Sequence, residues 1–186
     1  MDVLIVTLYS YILGSIPFGL ILTRLAGLGD VRKIGSGNIG ATNVLRTGNK
    51  FIAAITLLLD GLKGTLSILL TIQYFNELTY YAAVIVFLAH IFPVWLKFKG
   101  GKGVATFIGS LLVINFYLSV VFITAWLIML SIFRISAVSA LLGYLVVTVT
   151  AFIFFDQKIF FLIFFYFFTS IFTHRQNIAS LIKDNF

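Results

Sequence analysis

Long apolar runs separated by short polar clusters set the pattern of this chain. Residues 3–23 are apolar up to Arg24. A second run, 51–72, is interrupted by Asp60 and Lys63, and a third covers 80–96. Residues 104–133 pass thirty positions without a charge, and 137–155 and 159–173 complete the set. A helix needs about 20 predominantly apolar residues, range about 17–25, to cross the hydrocarbon core. Each run but the fourth therefore reads as one spanning helix. The fourth is long for one helix and short for two, and side preference decides between them. A hairpin turning near Asn115–Phe116–Tyr117 gives seven spans, with the N-terminus outside and the C-terminus cytoplasmic. The inner segments then carry Arg24, Arg32, Lys33, Arg46, Lys50, Lys97, Lys99, Lys102, Arg134, Arg175 and Lys183, eleven of the thirteen basic residues. That is the cationic bias expected of cytoplasmic loops. A single tilted helix would carry Arg134 outside and invert everything after it. The pattern predicts an all-α, polytopic transmembrane helical bundle. No repeat, low-complexity tail or linker divides it, so residues 1–186 read as a single integral-membrane domain.

Composition agrees. Of 186 residues, 61% are hydrophobic and 10% charged, against about 45–50% and about 25% in soluble domains. The mean hydropathy is +1.11. One water-facing core of this size could not hide so much apolar side chain. The early charge is Asp2 rather than a basic cluster, so the first run reads as a retained span and not a cleaved leader. The Phe-rich stretch 152–172 reads as a lipid-facing helix.

Charge and residue types narrow the chemistry. There is no cysteine, which excludes disulfides, thiolate chemistry and zinc–cysteine sites. Two histidines, His90 and His174, argue against a histidine-rich metal site, and no metal or cofactor is expected. A net charge of +7 points to anionic partners: lipid headgroups, phosphate esters or nucleic acid. Nucleic acid fits poorly, because the cations lie between spans and form no extended face.

Three polar stretches fall on the cytoplasmic side. The first reads Gly35-Ser36-Gly37-Asn38-Ile39-Gly40-Ala41-Thr42-Asn43-Val44-Leu45-Arg46. Its glycines allow close approach to a ligand, its N–H groups could form an anion-binding nest, and Arg46 offers a fork for phosphate. Residues after Gly40 suit a helix whose N-terminus could face the anion. It lacks the Gly-Lys-Ser/Thr ending of a P-loop. A plain polar turn would not need such a density of glycine and asparagine.

The second, from His90 through Pro93 and Trp95 to Lys97-Phe98-Lys99-Gly100-Gly101-Lys102-Gly103, brings backbone amides and ammonium groups together before a span. Lys97 and Lys99 could serve topology alone; the three glycines read as a binding turn for phosphate. Pro93 should break the helix, and His90 is either a satisfied interior group or a site residue. The third, Thr173-His174-Arg175-Gln176-Asn177, puts His174 and Asn177 on one helix face. Histidine carries protons near neutral pH, and asparagine can donate to an oxyanion. Alone, this stretch would pass for a polar juxtamembrane end. Asp60 and Lys63 lie i,i+3 at membrane depth, where charges are costly. They pair with each other, or Lys63 reaches toward the site. Ser136 and Ser139 line the site or cap the next helix.

Taken together, these motifs resemble the bacterial acyl-phosphate:glycerol-3-phosphate acyltransferases (PlsY). Gly14-Ser15-Ile16-Pro17-Phe18-Gly19, Asp60-Gly61-Leu62-Lys63-Gly64 and the length fit as well; Gln176 departs from a position that is often acidic. The resemblance covers essentially the whole chain. It implies a seven-helix inner-membrane enzyme with a cytoplasmic active site. Its partners would be glycerol 3-phosphate, long-chain acyl phosphate and membrane lipid, with no coenzyme A, acyl carrier protein or nucleic acid, and its product lysophosphatidic acid.

The resemblance also assigns residues. Ser36, His174 and Asn177 would be catalytic. Ser36, Gly37, Asn38, Gly40, Thr42, Asn43, Arg46, Lys99, Gly100, Gly101, Lys102, Gly103 and Ser139 would bind substrate. Among rivals, an organic-anion or phosphate-ester transporter shares broken helices and basic loops, but needs polar groups reachable from both faces. A membrane-anchored binding protein would form no product. A coenzyme A-dependent acyltransferase would usually show a His-x₄-Asp pair, and no Asp follows His90 in that way.

Overall fold

The computed structural model describes residues 1–183. Residues 184–186 lie outside the description, as do the side chains of Ile182 and Lys183, the latter counted above among the inner-side cations. All regular structure among the described residues is helical. Two compact units form, Met1–Ile114 and Asn115–Phe186.

In the first unit, α1 (Asp2–Ser15) and α2 (Phe18–Leu25) divide what the sequence presents as one run. The expected continuous 3–23 helix is broken because Pro17 lacks an N–H and holds Ile16 in an extended conformation. The first polar loop follows and contains the single-turn α3 (Ala41–Val44). The helix α4 (Lys50–Phe75) has 26 residues, about 39 Å at 1.5 Å per residue. Asn49 caps it, accepting the Ile52 N–H at 3.0 Å. The helix α5 (Thr79–Ile91) ends ahead of Pro93, where the sequence placed a break in the third run, and Val94–Leu96 forms a separate 3-10 turn. The helix α6 (Val104–Ile114) closes the unit.

Small residues let α4 and α6 approach closely. A Cβ on Gly64 would overlap the Thr106 carbonyl, and one on Gly109 the Gly61 carbonyl. Thr65 Oγ1 donates to Gly109 O at 2.9 Å, and Thr106 Oγ1 to Asp60 O at 3.0 Å. Such contacts replace the hydrophobic drive that helices lack inside lipid.

The second unit holds α7 (Phe116–Phe133), α8 (Ser136–Phe154), α9 (Gln157–Thr173) and α10 (Arg175–Lys183). The charge-free 104–133 run is broken at Asn115, where the turn was expected; the Asn115 side chain accepts the Leu118 N–H at 3.0 Å. Phe122 and Tyr144 pack their rings 4.9 Å apart in the interior. Phe161, Phe164, Phe168 and Phe172 are exposed along α9, the arrangement of a helix whose surrounding solvent is lipid.

Among the described residues, four stretches are long and apolar enough to span, Asp2–Leu25, Lys50–Leu96, Phe116–Phe133 and Ser136–Phe154. A fifth arises if α9 and part of α10, bent by 56°, count as one. The eleven residues of α6 fall short of the roughly 17 that a span requires.

Candidate active site

The first loop is organised by a buried asparagine. Asn43 Nδ2 lies 2.8 Å from Val31 O, 3.1 Å from Ile34 O and 2.8 Å from Asn38 O, its two N–H groups shared among the three carbonyls. Its Oδ1 accepts the Ser36 N–H at 3.1 Å and Arg46 Nη1 at 3.3 Å. One amide thus folds the loop back and draws Ser36 and Arg46 to a common point. Gly35 permits this: its φ is +52°, and a Cβ there would overlap the Arg46 guanidinium. Ser36, Thr42 and Arg46 are exposed, whereas the Asn43 side chain is spent inside the loop. Asn38 Oδ1 accepts the Gly40 N–H at 2.8 Å, and Ile34 O accepts the Gly37 N–H at 2.9 Å. The amides of Ser36, Gly37 and Gly40 are therefore engaged within the loop and do not form the open nest that the sequence suggested. At the loop's entry Asp30 accepts from Arg32 at 2.9 Å and from Arg24 at 3.0 Å. These guanidinium bonds, Arg32 first, hold the Asp30 carboxyl well below the usual carboxylate range.

The second loop lies at the same end of this unit. Leu96 packs on the small apolar cluster of Leu20, Val31, Ile39, Val44 and Ala53 beneath the first loop. Burial, and then the charge of Arg46, lower the Lys102 ammonium to about 8. The loop is pinned to the first span as well: Trp95 Nε1 donates to Ser15 Oγ at 2.8 Å, and Tyr11 OH to Phe92 O at 2.9 Å. Two of its glycine amides, expected to face an anion, are engaged within the protein. The Gly100 N–H donates to Ile91 O at 2.9 Å and the Gly101 N–H to His90 O at 3.0 Å. They satisfy terminal carbonyls of α5 that Pro93 cannot reach. Lys99 is exposed, and Gly101 and Gly103 are buried. A Cβ on Gly101 would overlap His90 Nε2, and one on Gly103 the Phe87 ring. Close packing is thus one reason for glycine at these positions.

In the second unit His174 sits at the α9–α10 joint with 2% of its surface exposed. Its Nδ1 is 2.8 Å from Ser170 O. A carbonyl oxygen can only accept, so Nδ1 carries a proton there. Asn177 lies in the first turn of α10, three residues on. Ser139 is buried and its Oγ donates to Ile135 O at 2.9 Å. Neither serine caps α8: the cap position is Ile135, without a side-chain cap.

The sequence reading missed Gly35 as the seat of Arg46, Ser15 as an anchor of the second loop, and Asn43 as the organiser. The local polar pattern marked all three stretches but not these internal partners.

Comparison with known proteins decides the family. The model of the family described as Glycerol-3-phosphate acyltransferase matches residues 4–184. The chain belongs to the glycerol-3-phosphate acyltransferase (PlsY) family. It is 50% identical over 174 residues to the glycerol-3-phosphate acyltransferase of Mesorhizobium japonicum, covering 94% of this chain and 89% of that one. The corresponding protein of Agrobacterium fabrum is 53% identical over 176 residues, covering 94% and 86%. That of Pelagibacter ubique is 48% identical over 182, covering 97% and 94%. The fold is similar to the crystal structure of an integral membrane glycerol 3-phosphate acyltransferase, PlsY (YgiH), in its glycerol 3-phosphate form. The TM-score is 0.92 at 29% identity, over 99% of this chain and 94% of that one. Its lysophosphatidic acid form gives 0.90 at 28%, over 99% and 93%. This PlsY-family chain is an integral membrane acyltransferase of phospholipid synthesis.

Proposed function

We propose that the protein transfers a fatty acyl group from an acyl phosphate to the 1-hydroxyl of sn-glycerol 3-phosphate, forming lysophosphatidic acid and inorganic phosphate. One observation carries the reading: Asn43 brings Ser36 and Arg46 together while Lys102 feels the Arg46 charge. A guanidinium, an ammonium and a hydroxyl on two adjoining loops suit a phosphate ester. The family match runs through both units, residues 4–184, which supports one domain with one activity.

Ser36, Arg46 and Lys102 hold substrate phosphate, with Asn38, Thr42 and the backbone of Gly37 and Gly40 around it. Asn43 contributes through Ser36 and Arg46. Lys99 supplies further positive charge, and Gly100, Gly101 and Gly103 shape the turn that accommodates the acyl donor, with Ser139 a further polar group at the site. Positioning two reactants is worth roughly 7–11 kcal/mol of barrier. The glycerol 1-oxygen attacks the acyl carbon. The ester C–O bond forms, the bond from acyl carbon to phosphate oxygen breaks, and phosphate leaves with its electron pair. The hydroxyl proton passes to Nε2 of His174, or to a phosphate oxygen of the bound substrate. Asn177 donates to the developing oxyanion. Phosphate leaves readily, so no acyl-enzyme is required, and neither coenzyme A nor acyl carrier protein takes part.

The enzyme lies in the bacterial cytoplasmic membrane as seven helical segments, N-terminus outside and basic loops inside, a reading supported by the charge asymmetry. The acyl chain enters from lipid and glycerol 3-phosphate from water.

Purified protein given glycerol 3-phosphate with acyl phosphate is expected to release lysophosphatidic acid and phosphate in equal amounts, and to form no product with acyl-CoA. Product from acyl-CoA alone would overturn the assignment of the donor.

A further inference from the structure

Three buried polar side chains of the first unit have no part in the reaction above. Asp60 and Lys63 form an ion pair at 2.9 Å, each at most 3% exposed. Lys63 Nζ also donates to Ile16 O at 3.0 Å, a carbonyl at the Pro17 break that further accepts the Phe18 N–H at 3.2 Å, and lies over the Phe18 ring at 5.8 Å. His90 Nδ1 faces Asp60 Oδ1 at 3.7 Å, and its Nε2 edge abuts Gly101 so closely that no Cβ fits between them. The groups therefore run in a chain from the break in the first span, through α4, to the turn at 100–103.

Charges at membrane depth are expensive, and a buried ion pair adds little stability compared with apolar packing of the same volume. Stability alone does not account for them. What the chain touches does. Its far end is the His90 ring, which lies against the backbone of Gly101, the residue before Lys102. The main-chain carbonyl of His90 accepts the Gly101 N–H at 3.0 Å, and that of Asp60 accepts Thr106 Oγ1 at 3.0 Å, so the helices that carry these side chains also hold the backbone before and after Lys102.

We propose that Asp60, Lys63 and His90 are positioning residues: a buried polar strut that fixes the height of the Gly100–Gly103 turn and so places the Lys102 ammonium for substrate phosphate. The strut rests on the reading of Lys102 as a phosphate-binding residue, and acts only through it.

The test compares His90→Ala, Asp60→Asn and Lys102→Ala, alone and combined, in purified protein, with KM and kcat for each substrate and direct calorimetric binding of inorganic phosphate. His90→Ala and Asp60→Asn should raise KM by about tenfold for the same substrate that Lys102→Ala affects, with kcat changed by less than about twofold. In combination with Lys102→Ala they should add nothing, because the group they place is already gone. Gly101→Ala, which pushes a methyl into His90, should give the same pattern and be partly rescued by His90→Ala; it serves if Asp60→Asn does not fold. Additive losses, or equal changes for both substrates, would overturn the strut. Wild-type protein that binds phosphate but makes no product from acyl phosphate would remove the donor assignment only, since phosphate affinity still reads the strut.

Discussion

At the scale of single residues, Asn43 and Lys102 carry the most specific consequences. The Asn43 amide meets three carbonyls with its nitrogen and two donors with its oxygen. Asn43→Asp turns that nitrogen into an acceptor facing three acceptors. Each buried carbonyl left unsatisfied costs about 1–3 kcal/mol, so turnover should fall at least about a hundredfold while the protein still inserts; a steady-state assay beside a membrane-fractionation blot checks both. Lys102 sits at about 8 because burial and Arg46 oppose its charge. It loses its proton as pH rises through that value, so KM for the substrate it meets should climb above a pH of about 8. Lys102→Arg should move that limb to higher pH. Stability has the opposite sign: between about 8 and the ordinary lysine value of 10.5, the unfolded chain binds more protons and stability rises with pH. Asn177→Ala, if the amide serves the oxyanion, should lower kcat by about a hundredfold or more with little change in KM.

At the scale of elements, helix breaks place the chemistry. Pro17 ends α1, Pro93 ends the α5 region, and the 56° bend between α9 and α10 holds His174 at its joint. Each break frees backbone carbonyls. Lys63 takes the one at Ile16, and Gly100 and Gly101 take those at Ile91 and His90. The α4–α6 crossing depends on Gly109 lying against the Gly61 backbone. Gly109→Leu has no room there, and overpacking of this kind costs about 1–3 kcal/mol. Its thermal midpoint in detergent should drop by several degrees, about the shift such a loss produces; an unchanged midpoint would mean that the two helices are not held at this point.

At the scale of the whole molecule, the absence of cysteine makes sidedness directly measurable. Ser36→Cys, Lys99→Cys and Asn177→Cys should each react with an impermeant maleimide from the cytoplasmic side alone, and Lys158→Cys from the opposite side alone. Labelling of Ser36→Cys and Asn177→Cys from different faces would refute a shared cytoplasmic active site.

The helical class, the membrane setting, the family and the polar stretches were legible in the sequence, because apolar run length and the order of polar residue types are local properties. The break at Asn115 was legible because the run was long for one helix and the basic residues lay on one side only if it turned there. The break at Pro17 was hidden because the charge-free run continues past it to Thr23. Only the tertiary structure decided which amides point inward. In the first loop they bind Asn43, Asn38 and Ile34; in the second they cap α5. It also decided that Gly101 is small because His90 lies against it. Such partners come together from separated parts of the chain, or turn on backbone angles that residue order does not specify.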